Sequence, residues 1–262
     1  MSSEKNFGLS EEQTKAVKNL ILRMADDELI IGHRNSEWTG LGPILEEDIA
    51  FSSMAQDKLG HAQALYNILH TMGEPDADTI AFTRNEKNFY CCHLVEYPIG
   101  DYDFSIMRHF LFDTAEAVRF DMLTRSSFQP LANLAKKMRG ELKYHTMHAN
   151  IWINQLGKGT DESHIRMQKA LDECFPLALG IFEPSDYENV LSESGIFDGE
   201  KLLQSVWMDI TAEVMEKSNL KLPDLDSVTP SYGGRKGFHT EHLQPLLDEM
   251  TEVYATDPTA EW

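Results

Sequence analysis

Apolar residues recur every three or four positions along most of this chain, and this spacing places them on one face of an α-helix. The first such stretch follows a capping box predicted at residues 10–13 and extends to about residue 38. The second extends from about residue 45 to 72, where glycine and proline follow. The sequence has no alternating pattern typical of strands, so it predicts an all-α fold.

A long connection at about residues 76–102, with one short helix, separates the second and third long helices. Four long helices with one crossover are typical of a ferritin-like four-helix bundle, here with additional C-terminal helices. We therefore expect a single domain over residues 1–262, with the core bundle at about 10–156 and accessory helices and tail at about 157–262. The later helices are predicted at about 103–127, 130–156, 161–181, 199–218 and 239–254.

The net charge of −20, from 43 acidic and 23 basic residues, gives a surface that repels nucleic-acid phosphates and anionic lipids. We therefore expect no nucleic-acid partner and no membrane association, and no apolar run is long enough to span a bilayer. The N-terminal residues lack the features of a signal peptide, and 3 cysteines imply no disulfide framework. The expected location is the cytoplasm.

Four polar residues match half of a di-iron site, one on each long predicted helix: Glu28, His61, Asp113 and His145. Ferritin-like di-iron proteins take one carboxylate from each of two helices and a Glu-x-x-His pair from each of the other two. The spacing of three places the carboxylate and the imidazole of each pair on one helix face.

The two glutamates of the Glu-x-x-His pairs are missing, because Lys58 precedes His61 by three residues and Leu142 precedes His145 by three. Neither side chain can bridge two irons, so we expect no metal or other cofactor in this chain and no catalytic residue. The six positions are predicted to form a vestigial pocket, with the Lys58 amine near Glu28 or Asp113.

An alternative uses the surviving donors. In it, the chain is a metal-binding ferritin-like oxidase with a reduced or mononuclear site at Glu28, His61, Asp113 and His145. Metal analysis of the purified protein separates the two interpretations.

Several segments resemble the structural subunit of bacterial phenylacetyl-CoA epoxidases, in the phenylacetic acid catabolic family. The segment at 233–243 is the most distinctive, and we call it the tail segment. Its Gly233, Gly234, Arg235, Gly237, His239, Glu241 and His242 form a candidate motif for binding a partner or clamping the domain. The other resembling segments are 37–38, 79–84, 156–161 and the final Trp262.

The resemblance implies a non-catalytic structural subunit of a multicomponent monooxygenase that epoxidises the aromatic ring of phenylacetyl-CoA in aerobic phenylacetate degradation. It implies a heterodimer with a paralogous catalytic subunit that carries the di-iron site, within a higher assembly that includes a small subunit. A separate NADPH-dependent reductase would supply electrons. A homodimer is possible when the chain is isolated.

Overall fold

The computed structural model describes residues 7–257, and the helices account for most of them. Trp262, one of the residues behind the resemblance, lies outside the described residues. The described part contains no strand, and the predicted fold class, all-α and ferritin-like with additional C-terminal helices, is confirmed. The α-helices are α1 Glu11–Ser36, α2 Leu45–Thr71, α3 Ala77–Phe82, α4 His93–Glu96, α5 Tyr102–Leu123, α6 Gln129–Gly157, α7 Asp161–Leu179, α8 Glu188–Glu193, α9 Glu200–Lys217 and α10 Leu243–Thr251.

Local signals set several helix ends where the sequence predicts them. Ser10 and Gln13 form the predicted capping box, with the Ser10 amide 2.9 Å from Gln13 Oε1 and the Gln13 amide 3.1 Å from Ser10 Oγ. Thr160 caps α7 in the same way, through Ser163. Each cap satisfies backbone N–H groups that have no partner inside the helix.

The structure differs from the prediction in the connections. The long connection contains two short α-helices, α3 and α4, and a 3₁₀ turn at Glu86–Asn88, where one short helix was expected. The helix α8 was not predicted, since its six residues are too few to show a period.

The last helix also begins later than predicted. It starts at Leu243 and not at residue 239, because the side chain of His239 and the backbone N–H of Thr240 both bind Glu96. These tertiary contacts hold the residues in a non-helical conformation that local propensity does not indicate.

The described residues group into two compact units, so the single-domain arrangement stays a prediction. Unit 1 comprises Lys18–Pro98 and the C-terminal residues 233–257. Within it, α2 packs on α3, and α10 packs on α3 and on the 3₁₀ turn. The tail segment therefore belongs to the same unit as the larger part of α1.

Unit 2 comprises Phe7–Val17 and Ile99–Tyr232, and α5 is its central helix. Residues 105–116 of α5 are all buried, since α6, α7 and α9 all pack against this helix. Trp207 of α9 is fully buried and donates a hydrogen bond from Nε1 to the Leu111 carbonyl at 2.9 Å. None of the helices in residues 7–257 combines the length and apolar character needed to cross a bilayer.

Candidate functional site

The six residues of the predicted vestigial pocket divide evenly between the two units. Glu28, Lys58 and His61 belong to unit 1, while the remaining three belong to unit 2. All six side chains are buried. That the two sets form one pocket stays a prediction. The unit 2 residues are Asp113, Leu142 and His145.

In unit 1, the Lys58 amine lies against the carboxylate of Glu28. Lys58 Nζ is 3.3 Å from Glu28 Oε2, and both side chains are completely buried. His61 Nδ1 is 3.5 Å from the same oxygen. The lysine therefore faces inward and beside Glu28, as the sequence predicts, and its positive charge compensates a carboxylate that burial would otherwise destabilise.

A glycine on α1 permits this arrangement. A Cβ atom at Gly32 would lie 3.1 Å from the Leu59 side chain and 3.2 Å from Lys58 Cβ. With no side chain at this position, α1 and α2 can approach closely beside Lys58. The close approach keeps the lysine amine within reach of Glu28, one turn earlier on α1.

In unit 2, the carboxylate of Asp113 on α5 lies between two histidines. His109, one turn earlier on the same helix, contacts Asp113 Oδ2 through Nδ1, and His145 Nδ1 on α6 is 3.6 Å from Oδ1. The ring of His148 is 5.5 Å from that of His109, centre to centre. Leu142 is only 1% exposed and supplies no donor.

His109 was missed in the sequence, although its spacing of four from Asp113 placed both on one helix face. Burial lowers the pKa of His109, against the effect of the Asp113 carboxylate, and the neighbouring His148 and His145 lower it further. Its imidazole is therefore neutral at neutral pH and adds no positive charge to compensate Asp113.

The two residues before Glu28 are also buried carboxylates with partners of their own. Asp26 accepts hydrogen bonds from Arg84 Nη2 at 2.5 Å and from the Tyr66 hydroxyl at 2.6 Å. Burial raises the pKa of Tyr66 and the Asp26 carboxylate raises it further, so the hydroxyl keeps its proton and donates a hydrogen bond to Asp26. Asp27 Oδ2 accepts from Arg235 Nη2 at 2.6 Å.

The tail segment supplies that arginine, and its glycines allow the chain to come close enough. A Cβ atom at Gly234 would lie 2.2 Å from the Cys91 carbonyl, and one at Gly237 would lie 2.4 Å from the Lys87 carbonyl. Gly233 and Gly237 also have positive φ angles of 131° and 78°, which residues with a side chain rarely adopt. The glycine spacing of this motif is therefore a packing requirement within unit 1.

His239 and Glu96 form a second anchor of the tail segment. His239 Nδ1 is 2.8 Å from Glu96 Oε1, and Nε2 is 3.0 Å from the Phe89 carbonyl. Because one ring nitrogen faces a carboxylate oxygen and the other a carbonyl oxygen, these contacts favour the imidazolium, in which both nitrogens donate. Burial opposes this charge, but the hydrogen bond and charge of Glu96 outweigh it and raise the pKa of His239.

The side chains of other residues in the tail segment take little part in these contacts. Phe238 is 72% exposed and Glu241 has an 85% exposed side chain, so neither anchors the segment. Phe238 contributes through its backbone: its carbonyl lies 2.8 Å from His93 Nε2, and its N–H donates to the Gly233 carbonyl at 3.1 Å. The His242 ring packs against Tyr97 in a tilted arrangement, with 4.7 Å between ring centres and 57° between the ring planes. A partner-binding role for the motif stays a prediction.

Comparison with known proteins shows the family resemblance along nearly the whole sequence. Residues 2–262 match the family described as phenylacetic acid catabolic protein. The chain belongs to this family. It is 33% identical over 242 residues to the C subunit of 1,2-phenylacetyl-CoA epoxidase of Escherichia coli strain K12, covering 92% of this chain and 97% of that protein. It is 23% identical over 208 residues to the A subunit of the same epoxidase, covering 77% of this chain and 67% of that protein.

Similarity to two different subunits of one epoxidase is consistent with a chain that keeps some potential metal ligands of a di-iron site and lacks others. The chain has the higher identity to the C subunit and the lower identity to the A subunit. In this chain, Lys58 and Leu142 occupy the positions where a di-iron site of this fold has glutamates. Neither Lys58 nor Leu142 can bridge two irons, so the absence of a di-iron centre stays a prediction for this chain.

Removing the Lys58 amine is expected to destabilise the fold strongly. Lys58→Met should lower the free energy of unfolding by about 3–5 kcal/mol, because it leaves the buried Glu28 carboxylate without that cation. Lys58→Met combined with Glu28→Leu should recover part of the loss. Lys15→Met, which removes an exposed ion pair, is the control and should change stability little. Urea unfolding measures all four proteins, and an unchanged Lys58→Met variant would contradict the assignment.

Arg235 is expected to fix the tail segment to unit 1. Arg235→Met should lower the free energy of unfolding by about 3–5 kcal/mol, because it breaks a buried pair with Asp27. Amide hydrogen exchange at residues 233–243 should rise as well. The adjacent, exposed Lys236→Met is the matched control. Equal exchange in the two variants would mean that the arginine does not hold the segment.

His239 is expected to give stability that depends on pH. Because its pKa is raised in the folded state, its contribution is fully present below the unfolded pKa of about 6.5 and is lost as pH rises through the folded value. In metal-free buffer, the difference in free energy of unfolding between wild type and His239→Gln should therefore decrease as the pH is raised from about 6 to about 9, a range that includes the unfolded pKa of about 6.5. His33, whose pKa burial lowers, should show the opposite trend.

Proposed function

We propose that this chain is a non-catalytic structural subunit of a multicomponent di-iron monooxygenase that epoxidises the aromatic ring of phenylacetyl-CoA. The observation that carries the proposal is the buried contact between Lys58 and Glu28. A lysine amine lies against the carboxylate that would otherwise bind iron. A fixed positive charge at that point repels a divalent cation and occupies its ligand.

The remaining donors support the same conclusion. Asp113 is contacted by two histidines, and the buried position three residues before His145 is the apolar Leu142. In a di-iron centre of this fold, about four carboxylates offset two divalent ions. Glu28 and Asp113 alone cannot supply that charge.

In this proposal, the catalytic partner is a paralogous subunit that retains both Glu-x-x-His pairs. This chain contributes a helical interface that stabilises the partner within a larger assembly with a small subunit, and a separate reductase supplies electrons from NADPH. Three buried carboxylates of α1 support that role, because each is paired with a cation of this chain and needs no metal: Asp26 with Arg84, Asp27 with Arg235 and Glu28 with Lys58.

Reconstitution tests the proposal. The catalytic subunit, the small subunit and the reductase are combined with and without this chain, and conversion of phenylacetyl-CoA to its epoxide is measured. We expect turnover only with both large subunits, and none from this chain with the reductase. Full turnover without this chain would contradict the supporting role.

Iron analysis of the separately purified chain completes the test. After aerobic and anaerobic loading with Fe(II), we expect no stoichiometric iron, because the bridging carboxylates are absent. Lys58→Glu is the informative variant, since it restores one Glu-x-x-His pair and should retain more iron than the wild type. Stoichiometric iron bound by the wild-type chain would favour the alternative, a metal-binding ferritin-like oxidase with a reduced or mononuclear site at Glu28, His61, Asp113 and His145.

A further inference from the structure

Three potential metal ligands lie close together in unit 1, and one of them, His239, belongs to the tail segment. None of the three is a residue of the predicted pocket. Cys91 Sγ lies 3.8 Å from Glu96 Oε1 and 4.0 Å from His239 Nδ1. The ligand atoms all lie within 4.8 Å of one another. Cys91 and Glu96 are fully buried, and the His239 side chain is 2% exposed.

We propose that this cluster binds one zinc ion, with Cys91 Sγ, Glu96 Oε1 and His239 Nδ1 as its protein ligands. A thiolate, an imidazole and a carboxylate are donors that zinc accepts together, and three protein ligands leave one coordination position open. A thiolate favours zinc over the iron that carboxylate-rich sites of this fold bind.

The distances are close to those that zinc requires. Zinc bonds of about 2.3 Å to sulfur and about 2.0–2.2 Å to nitrogen or oxygen place tetrahedral ligand atoms roughly 3.4–3.6 Å apart. The two distances from Cys91 Sγ are slightly longer than this, and the 2.8 Å between His239 Nδ1 and Glu96 Oε1 is shorter. Changes of roughly 0.2–0.8 Å in these distances would bring all three to the ideal separation.

The surrounding contacts orient the ligands as a metal site needs. His239 Nε2 donates to the Phe89 carbonyl, which directs Nδ1 toward the cluster. Glu96 Oε2 accepts from the backbone N–H of Thr240 at 2.8 Å and from its hydroxyl at 2.7 Å, which leaves Oε1 directed at Cys91 and His239. Such outer contacts fix the direction and increase the basicity of the ligands.

Charge is also conserved when zinc enters. Without metal, the imidazolium of His239, the Glu96 carboxylate and the neutral Cys91 thiol sum to zero. With zinc bound, the two negative charges of the carboxylate and the thiolate balance the two positive charges of the ion, and the imidazole is neutral, so the sum is again zero. Zinc replaces two protons, one from sulfur and one from Nδ1, so no net charge is added to a buried place.

This inference rests on unit 1 alone and not on the proposed function. It revises the expectation that the chain holds no metal, and it concerns a different group of side chains from the predicted pocket. An absence of iron and a presence of zinc are compatible, so the elemental assays for the two proposals fail independently.

Cobalt(II) is the first probe, because a thiolate bound to it gives a charge-transfer absorption that carboxylate and imidazole do not. The full chain is treated with EDTA and incubated with Co(II) until uptake stops. We expect one ion per chain with the thiolate absorption, and its loss when Zn(II) is added. Cobalt bound without that absorption, or no binding at all, would overturn the proposal, and neither result depends on a variant that folds.

The neighbouring cysteine provides a matched control. Cys91→Ser should abolish the absorption and weaken zinc binding by more than about 100-fold, since even outer-contact partners are worth about 10–100-fold. Cys92→Ser, equally buried and one residue away, should keep both properties. Zinc should also raise the Tm of the wild type as its concentration increases, but not that of Cys91→Ser. Equal effects of the two substitutions would contradict the ligand assignment.

Discussion

Three consecutive buried carboxylates on α1 are the constraint on which unit 1 depends. A buried carboxylate without a compensating partner is unfavourable by several kcal/mol or loses its charge, so each needs a cation or several donors. The three side chains meet three different cations, which come from α2, from the residue that follows α3 by two positions, and from the tail segment. Asp26 pairs with Arg84, Asp27 with Arg235 and Glu28 with Lys58.

This constraint gives a physical role to two of the segments in which the chain resembles the family. Arg84 ends the segment at 79–84 and Arg235 lies in the tail segment, so both resembling segments supply cations to α1. The three carboxylates of α1 also differ in what they contribute. Asp26 and Asp27 hold the unit together, whereas Glu28 faces a lysine where a metal-binding relative of this fold would have a glutamate. The proposed supporting role therefore rests mainly on a lysine, Lys58, in place of a glutamate, and not on the loss of a helix from the fold.

The sequence was sufficient for features set by local spacing. The long helices, the Ser10 capping box and the inward orientation of Lys58 all follow from helical periodicity. It was insufficient where distant residues decide the conformation. The late start of α10 depends on Glu96, more than a hundred residues earlier, and the arginine partners of Asp26 and Asp27 could not be assigned from spacing. The division into two units and the zinc-type cluster likewise arise only when the chain is folded.

In the proposed function, the Lys58 amine occupies the place of a metal beside Glu28. The most direct test is the ¹⁵N NMR signal of the Lys58 ammonium in a lysine-labelled chain, assigned with Lys58→Met, during anaerobic addition of Fe(II). We expect a protected ammonium signal that is unchanged at stoichiometric Fe(II), because the ion does not bind nearby. Selective paramagnetic broadening or loss of this signal, with the exposed lysines unaffected, would show that iron enters the site and would contradict the claim.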